Sequence, residues 1–177
     1  MTHALLPLIG AAAVRPAIPG RLVVAAMAAA MLPDADLLSR LFAIPHSHDF
    51  GHRGASHTIL FALLVGLAGA WAAPLLRASR RLSGAFLFLA TLSHGLTDML
   101  TDGGKGIMLF WPLSHERFRW SAHPVDVSPI GLRAFDSGDL DRILWSELLW
   151  LILPAILLAV LYRLARRPYI DSGKGQS

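Results

Sequence analysis

A histidine and an aspartate lie four residues apart in a stretch that is otherwise free of charge, within residues 93–98. This spacing places His94 and Asp98 on one face of a helix. Ionisable side chains at membrane depth are costly and usually face a protein interior or a watery cavity. The pair therefore predicts a metal site, with Asp98 as a ligand or as the partner that orients His94. A purely structural His–Asp pair is the alternative.

Two carboxylates, Asp34 and Asp36, follow directly on the apolar stretch at residues 22–32. Carboxylates in this position can bind a hard or borderline cation. Taken alone, the motif is also typical of a solvated loop or of a cap for the next helix.

A second pair of histidines, His52 and His57, brackets Arg53 and a glycine before a long apolar run. A turn that leads into a helix can aim both imidazoles at one point, which would make both of them metal ligands. The alternative is that Ser56 or Thr58 caps the helix while the histidines lie at the membrane interface.

The composition requires that these motifs be positioned by membrane helices. Of the 177 residues, 54% are hydrophobic and 16% are charged, and the mean hydropathy is +0.52, which is too apolar for an ordinary soluble domain. There is no cysteine, so imidazole and carboxylate must hold any metal. The net charge of +4 comes largely from clusters that flank apolar runs, which predicts contact with lipid headgroups and no nucleic-acid partner.

Uncharged runs at residues 54–76, 82–97 and 148–162 are each near the length that crosses a bilayer. Shorter apolar runs at residues 4–14 and 22–32 are separated by a segment with two prolines and a glycine, which favours a turn. A signal peptide is the competing interpretation of the N-terminus, but it lacks a basic lead-in. We therefore predict an all-α, polytopic membrane helical bundle of about three full transmembrane helices plus an N-terminal helical hairpin. Residues 1–167 form this single domain, and residues 168–177 a polar tail.

The positive-inside rule orients the bundle. Arginines cluster at residues 77–81 and 163–167, so these ends are predicted to be cytoplasmic. His3 and the connections at residues 33–56 and 101–146 then lie on the outer, periplasmic face of an inner membrane. Four separated segments thus bring histidine or aspartate to one face, and a divalent ion would offset the cost of burying them together.

Basic and aromatic residues alternate at residues 111–120. Arg117 and Arg119 would lie on the same side of an extended strand and could bind a phosphate-bearing substrate. The other interpretation, slightly favoured, is an interfacial belt of tryptophan and arginine.

The ordered set of His3, residues 32–36, residues 52–57, residues 93–98 and the Trp111-Pro112 pair resembles the YdjM-like family of inner-membrane, metal-dependent hydrolases. The resemblance covers about residues 1 to 120. That family is similar in turn to zinc-dependent phospholipases C and related nucleases, whose metal ligands include a histidine and an aspartate four apart on a helix. The resemblance implies His94 and Asp98 as ligands, followed by His57, Asp36 and His3. We expect zinc or a similar divalent metal, and two or three ions would favour hydrolysis.

Together these patterns predict a membrane-bound hydrolase of a phosphoester, with a phospholipid headgroup as the most natural substrate. Asp34 is the predicted general base, and Arg53 would stabilise charge that develops on the phosphate. The alternative is a metal-binding protein for transport or sensing, although the inner halves of the segments offer few polar residues for a transport path. A third interpretation is a structural protein whose His–Asp pairs tie helices together. The sequence sets no oligomeric state.

Overall fold

The computed structural model describes residues 2–14, 16–127 and 140–166. Their seven α-helices are α1 (Leu5–Ala13), α2 (Gly20–Met31), α3 (Ile59–Trp71), α4 (Ala73–Leu76), α5 (Arg80–Asp98), α6 (Leu140–Glu147) and α7 (Leu153–Ala165). Segments of 3-10 helix occupy Thr2–Ala4, Leu32–Phe42 and Ala55–His57, and a π-helical turn at Leu148–Ile152 joins α6 to α7. Isolated β-bridges, but no strands, occur among the described residues. The predicted all-helical class is therefore correct.

Helix α5 lies at the centre and packs against α2 on one side and α3 on the other. Glycines allow α3 and α5 to approach closely, since a Cβ atom at Gly66 would lie 3.0 Å from the carbonyl oxygen of Gly84. Close backbone approach through small residues is the usual way that membrane helices pack. On the opposite side, Leu22 and Ala26 of α2 pack with Leu87 of α5 in the apolar core.

Two helical segments, rather than the three predicted, are long and apolar enough among the described residues to be candidate membrane spans. They are Gly20–Phe42 and Leu140–Ala165. The predicted span at residues 54–76 is shortened because Thr58 caps α3 and the helix breaks at Ala72, before Pro74. The predicted span at residues 82–97 does fall within the 19 residues of α5, but this helix begins with two arginines and buries several polar side chains.

The predicted N-terminal helical hairpin is present, because α1 packs against α2. Its second arm is longer than predicted, because α2 runs directly into the 3-10 segment Leu32–Phe42. Pro33 lies at the start of this segment, where a missing backbone N–H costs little. Asp34 and Asp36 consequently lie inside a continuous helical segment instead of in a connection. Arg15 of the predicted turn and the predicted tail at residues 168–177 lie outside the described residues.

The C-terminal segment exposes most of its apolar surface, with Leu157 at 58% and Leu158 at 67% exposure. Its α7 helix packs against α1. An apolar helix with so little protein around it is typical of contact with lipid.

Candidate metal centre

Four segments of the chain meet at the C-terminal end of α5. They are the 3-10 turn Thr2–Ala4, the 3-10 segment Leu32–Phe42, the loop that ends in the 3-10 turn Ala55–His57, and the last turns of α5 itself. The side chains that meet there are His3, Asp34, Asp36, His52, Arg53, His57, His94 and Asp98.

His94 is fully buried, and its Nδ1 atom lies 2.7 Å from the carbonyl oxygen of Ala30 in α2. Because a carbonyl oxygen only accepts, the hydrogen bond places the ring proton on Nδ1. The Nε2 atom of the neutral ring then carries a lone pair, and it lies 3.2 Å from the Nε2 atom of His57. A histidine held by a backbone carbonyl in this way is typical of metal ligation.

The His57 ring is also held by hydrogen-bond acceptors beside its Nδ1 atom. The Ser56 hydroxyl donates to Asp36 at 2.5 Å, so its oxygen is free to accept from His57 Nδ1 at 2.9 Å. Asp36 Oδ2 also lies 3.2 Å from the same nitrogen. In a neutral His57 ring the proton is therefore on Nδ1, and the Nε2 lone pair faces that of His94. Although burial disfavours the charged ring, the contacts with Asp36 and Asp98 raise the pKa of His57 to about 9, so a metal ion would take the place of the Nε2 proton. Two lone pairs cannot bond to each other, but a cation between them binds both.

His3 is the third ring with this arrangement. The Thr97 hydroxyl donates to backbone carbonyls of its own helix, so its oxygen accepts from His3 Nδ1 at 3.0 Å. His3 Nε2 then faces Asp98 Oδ1 at 3.5 Å. The His3 ring also stacks on His94, with 3.9 Å between ring centroids.

Two carboxylates complete the cluster. Asp98 Oδ2 lies 3.3 Å from His57 Nε2 and 3.8 Å from His94 Nε2, and Asp34 Oδ1 lies 3.5 Å from His94 Nε2. Ligand atoms around a tetrahedral zinc ion, with bonds of 2.0–2.1 Å, are separated by about 3.3 Å. The spacings fit one ion, and two overlapping triads have ligand atoms close enough to hold it: His3, His94 and Asp98, and Asp34, His57 and His94.

Among the described residues of the cluster, Asp34 is the most exposed. The Asp34 side chain is 42% exposed, whereas the side chains of His57, His94 and Asp98 are no more than 5% exposed. Solvent or a substrate therefore reaches the cluster beside Asp34.

Asp36 and His52, both predicted as ligands, lie behind His57. Asp36 Oδ1 is 2.6 Å from His52 Nδ1, and its Oδ2 accepts from the backbone N–H of Arg53 at 3.0 Å. Asp36 thus contacts the His57 nitrogen that points away from the cluster, and neither residue belongs to the two triads. In this position Asp36 orients His57 and would not contact an ion held by either triad.

The predicted phosphate-binding Arg53 is 5% exposed and lies against Asp98, with Nε 3.0 Å from Oδ2. Its terminal nitrogens donate to the Thr101 hydroxyl at 2.9 Å and to the Gly103 carbonyl. The Arg53 backbone is left-handed, with φ of 63°, which is uncommon for a residue with a side chain. The guanidinium orients Asp98 and partly neutralises it.

The two predicted substrate arginines differ from each other. Arg117 donates to the carbonyl oxygens of Arg53, Gly106 and His46, so it joins three stretches of the outer connections. Partial burial lowers the pKa of Arg117 below its usual value. Arg119 is exposed, and only its Nε–H is used in a described hydrogen bond, to His123 at 2.6 Å.

A second contact between the connections was missed from the sequence. Trp111 Nε1 donates to Asp49 at 3.1 Å, and His115 Nδ1 lies 3.0 Å from the same carboxylate. The bonds from His115 and Trp111 lower the pKa of Asp49. Sequence reasoning also missed the supporting roles of Ser56, Thr97 and Thr101, although each hydroxyl is within four residues of a predicted site residue.

Comparison with known proteins gives two matches. The sequence model described as YdjM inner membrane protein matches residues 1–169. A curated protein of Escherichia coli (strain K12), described as inner membrane protein YbcI, is 39% identical over 164 residues, which cover 89% of this chain and 92% of that protein. No solved structure matches significantly.

Proposed function

The chain belongs to the YdjM inner membrane protein family, and from this premise we propose that its buried centre binds zinc and hydrolyses a phosphoester, with a phospholipid headgroup as the natural substrate. One observation carries the proposal. His3, His57 and His94 each have Nδ1 beside an acceptor, and the Nε2 atom of each ring lies 3.3–3.5 Å from a carboxylate oxygen of Asp34 or Asp98. Arg53 offsets the charge of Asp98 on one side, and a cation among the ring nitrogens and carboxylates would offset the remaining cost of burying them together.

The donor set favours zinc among the divalent metals. Imidazole nitrogens with carboxylate oxygens suit this borderline ion, whereas calcium and magnesium prefer oxygen alone. A structural zinc site is closed by four protein ligands, and a catalytic one keeps a position open. The exposed side beside Asp34 supplies such a position here. His94 has one free lone pair and can bind only one ion, so His3 and Asp98 of the other triad would supply the two protein ligands for a second ion.

Each nearby residue has a role in this proposal. A bound ion would activate a water molecule and polarise the phosphoryl oxygen. Asp34 lies on the open side and accepts the proton of the attacking water. Arg53 holds Asp98 in place and adds positive charge beside the centre. Arg119, with its terminal guanidinium nitrogens exposed, binds the phosphate of the substrate.

The location of the centre fits a lipid substrate. Asp34 lies in the candidate span Gly20–Phe42, and this segment ends in the exposed apolar side chains of Leu41 and Phe42. Apolar side chains that can contact lipid therefore lie in the same helical segment as the open side of the centre. We place this side at the periplasmic face, on the basis of the arginines at residues 77–81.

The test is a hydrolysis assay on zinc-loaded protein in lipid nanodiscs, with release of phosphorylated headgroup as the readout and a soluble aryl phosphodiester as a second substrate. Asp34→Asn should lower turnover at least about 100-fold, the smallest usual contribution of a general base. It should retain zinc through His57, His94 and Asp98, because Asp98 Oδ2 lies near both ring nitrogens. Asp141→Asn, an exposed carboxylate of α6, is the matched control and should change neither quantity.

The outcomes separate the parts of the proposal. Absence of turnover in zinc-loaded wild-type protein on both substrates would overturn the hydrolase and favour a metal-binding protein without chemistry. Loss of zinc from Asp34→Asn would make Asp34 a ligand and overturn its role as the base. Turnover of the soluble diester alone would overturn the lipid substrate.

A further inference from the structure

Glu147 is an acidic residue in an apolar helical segment, and the proposed mechanism makes no use of it. It ends α6 within the candidate span Leu140–Ala165, and the 15 residues that follow it carry no charge. The π-helical turn Leu148–Ile152 begins at the next residue. Ionisable residues are costly in such a segment, and π-helical turns occur frequently at functional sites.

The Thr2 hydroxyl donates to the Glu147 carboxylate. Thr2 is 2% exposed and directly precedes His3. The C-terminal segment also contacts the N-terminal one where α7 packs on α1. Glu147 therefore contacts the residue that directly precedes His3 of the metal centre.

His3 depends on such contacts for its position. It lies in the single 3-10 turn Thr2–Ala4, and one helical turn has little stability without tertiary contacts. The contacts that place its ring are the Thr97 hydroxyl and the His94 ring on α5. A fixed residue before it reduces the freedom of the His3 side chain.

We propose that Glu147 is a positioning residue, which holds His3 in the metal centre through the Thr2 hydroxyl. The C-terminal span then contributes to the centre without supplying a ligand. This inference rests on the proposed function in one respect, namely that His3 binds the ion.

The first test uses cobalt(II) as the probe, in full-length protein in detergent. Thr2→Val and Glu147→Leu should each weaken cobalt binding about tenfold, the lower range for loss of a partner that orients a ligand. They should alter the visible cobalt spectrum in the same way as His3→Ala. Thr2→Ser keeps the hydroxyl and should behave like the wild type. In a His3→Ala background, neither Thr2→Val nor Glu147→Leu should have a further effect.

A second measurement needs no metal. The chain has no native cysteine, so His3→Cys gives a single thiol, which should react slowly with an alkylating reagent in the metal-free protein. Adding Thr2→Val or Glu147→Leu should accelerate alkylation about tenfold, the effect of losing a hydrogen bond to a charged group. Adding Thr2→Ser should not.

Unchanged cobalt affinity and unchanged alkylation in both variants would overturn the role of Glu147. An equal loss of cobalt affinity in the His3→Ala background would also overturn it, because the effect would then not act through His3. If wild-type protein binds no cobalt while alkylation responds as expected, the positioning contact stands and the proposed metal function fails.

Discussion

Each histidine of the centre is fixed through the ring nitrogen that faces away from the cluster. Ala30, Ser56 and Thr97 supply the acceptors. The sequence motifs predicted these rings as site residues, and the structure brings the three rings together. The motifs could not distinguish a residue that faces the proposed ion from one that only orients a neighbouring ring. Asp36 and Asp34 are two residues apart, yet one lies behind His57 and the other beside the open position.

Loss of a ligand should lower metal affinity far more than loss of an outer histidine. We expect His94→Ala and Asp98→Asn each to weaken zinc binding at least about tenfold, measured by competition with a chromophoric chelator. His115→Ala is the matched control, because this ring is 65% exposed and bonds only to Asp49 among the described residues. Wild-type zinc affinity in both centre variants would exclude the site.

The two arginines of the outer connections should give different results. Arg119→Ala should raise the KM for a phosphodiester with little change in zinc content, because arginine is always cationic and cannot be a ligand. Arg117→Ala should instead lower the thermal midpoint, since it removes hydrogen bonds to three backbone carbonyls, with a cost of about 1–3 kcal/mol. Unchanged kinetics in Arg119→Ala would contradict a substrate-binding role and favour contact of Arg119 with lipid headgroups.

Among the elements, α5 sets the geometry of the centre because it carries two of its residues and packs between α2 and α3. The i, i+4 spacing correctly predicted that His94 and Asp98 share one face of this helix, since a single helix fixes that relation. The boundaries of α2 and α3 were predicted less well. Uncharged composition does not reveal that Thr58 starts a helix or that α2 continues as a 3-10 segment through Pro33.

Gly95 tests how closely α5 must approach the loop before α3. A Cβ atom at Gly95 would lie 3.1 Å from the carbonyl oxygen of His57 and 3.1 Å from Ile107 Cδ1. Gly95→Ala should therefore displace His57 from His94 and weaken zinc binding, and destabilise the metal-free protein by about 1–3 kcal/mol.

Gly10→Ala in α1 is the matched control, because no atom outside its own helix backbone and chain neighbours lies within 4 Å of the added Cβ. It should raise stability slightly through helix propensity, by about 0.5–1 kcal/mol. Thermal unfolding and zinc competition measure both variants. Equal behaviour of the two would contradict the close approach at Gly95.

At the scale of the whole molecule, the membrane class followed directly from composition, whereas the number of spans did not. Uncharged runs show which residues tolerate lipid. The helix α5 is long enough to cross a bilayer, but α2 and α3 cover it on two sides. Packing of this kind depends on contacts between distant parts of the chain, which a local pattern does not contain.

Orientation can be measured with single cysteines, since the native chain has none. Ala17→Cys and Ser79→Cys should react with an impermeant maleimide only from the cytoplasm, whereas His48→Cys and Lys105→Cys should react from the periplasm. The arginines near residue 79 are the physical reason. The reverse labelling pattern would invert the protein in the membrane and place the centre on the cytoplasmic side.

The most direct test of the central claim is the X-ray absorption spectrum at the zinc edge of protein that has been loaded with zinc and then dialysed. We predict a mixed nitrogen and oxygen shell at about 2.0–2.1 Å, with at least two imidazoles per zinc ion. The imidazole signal should disappear in the doubly substituted variant His57→Ala with His94→Ala. A shell of oxygen alone, or no more zinc retained than in that variant, would contradict the account.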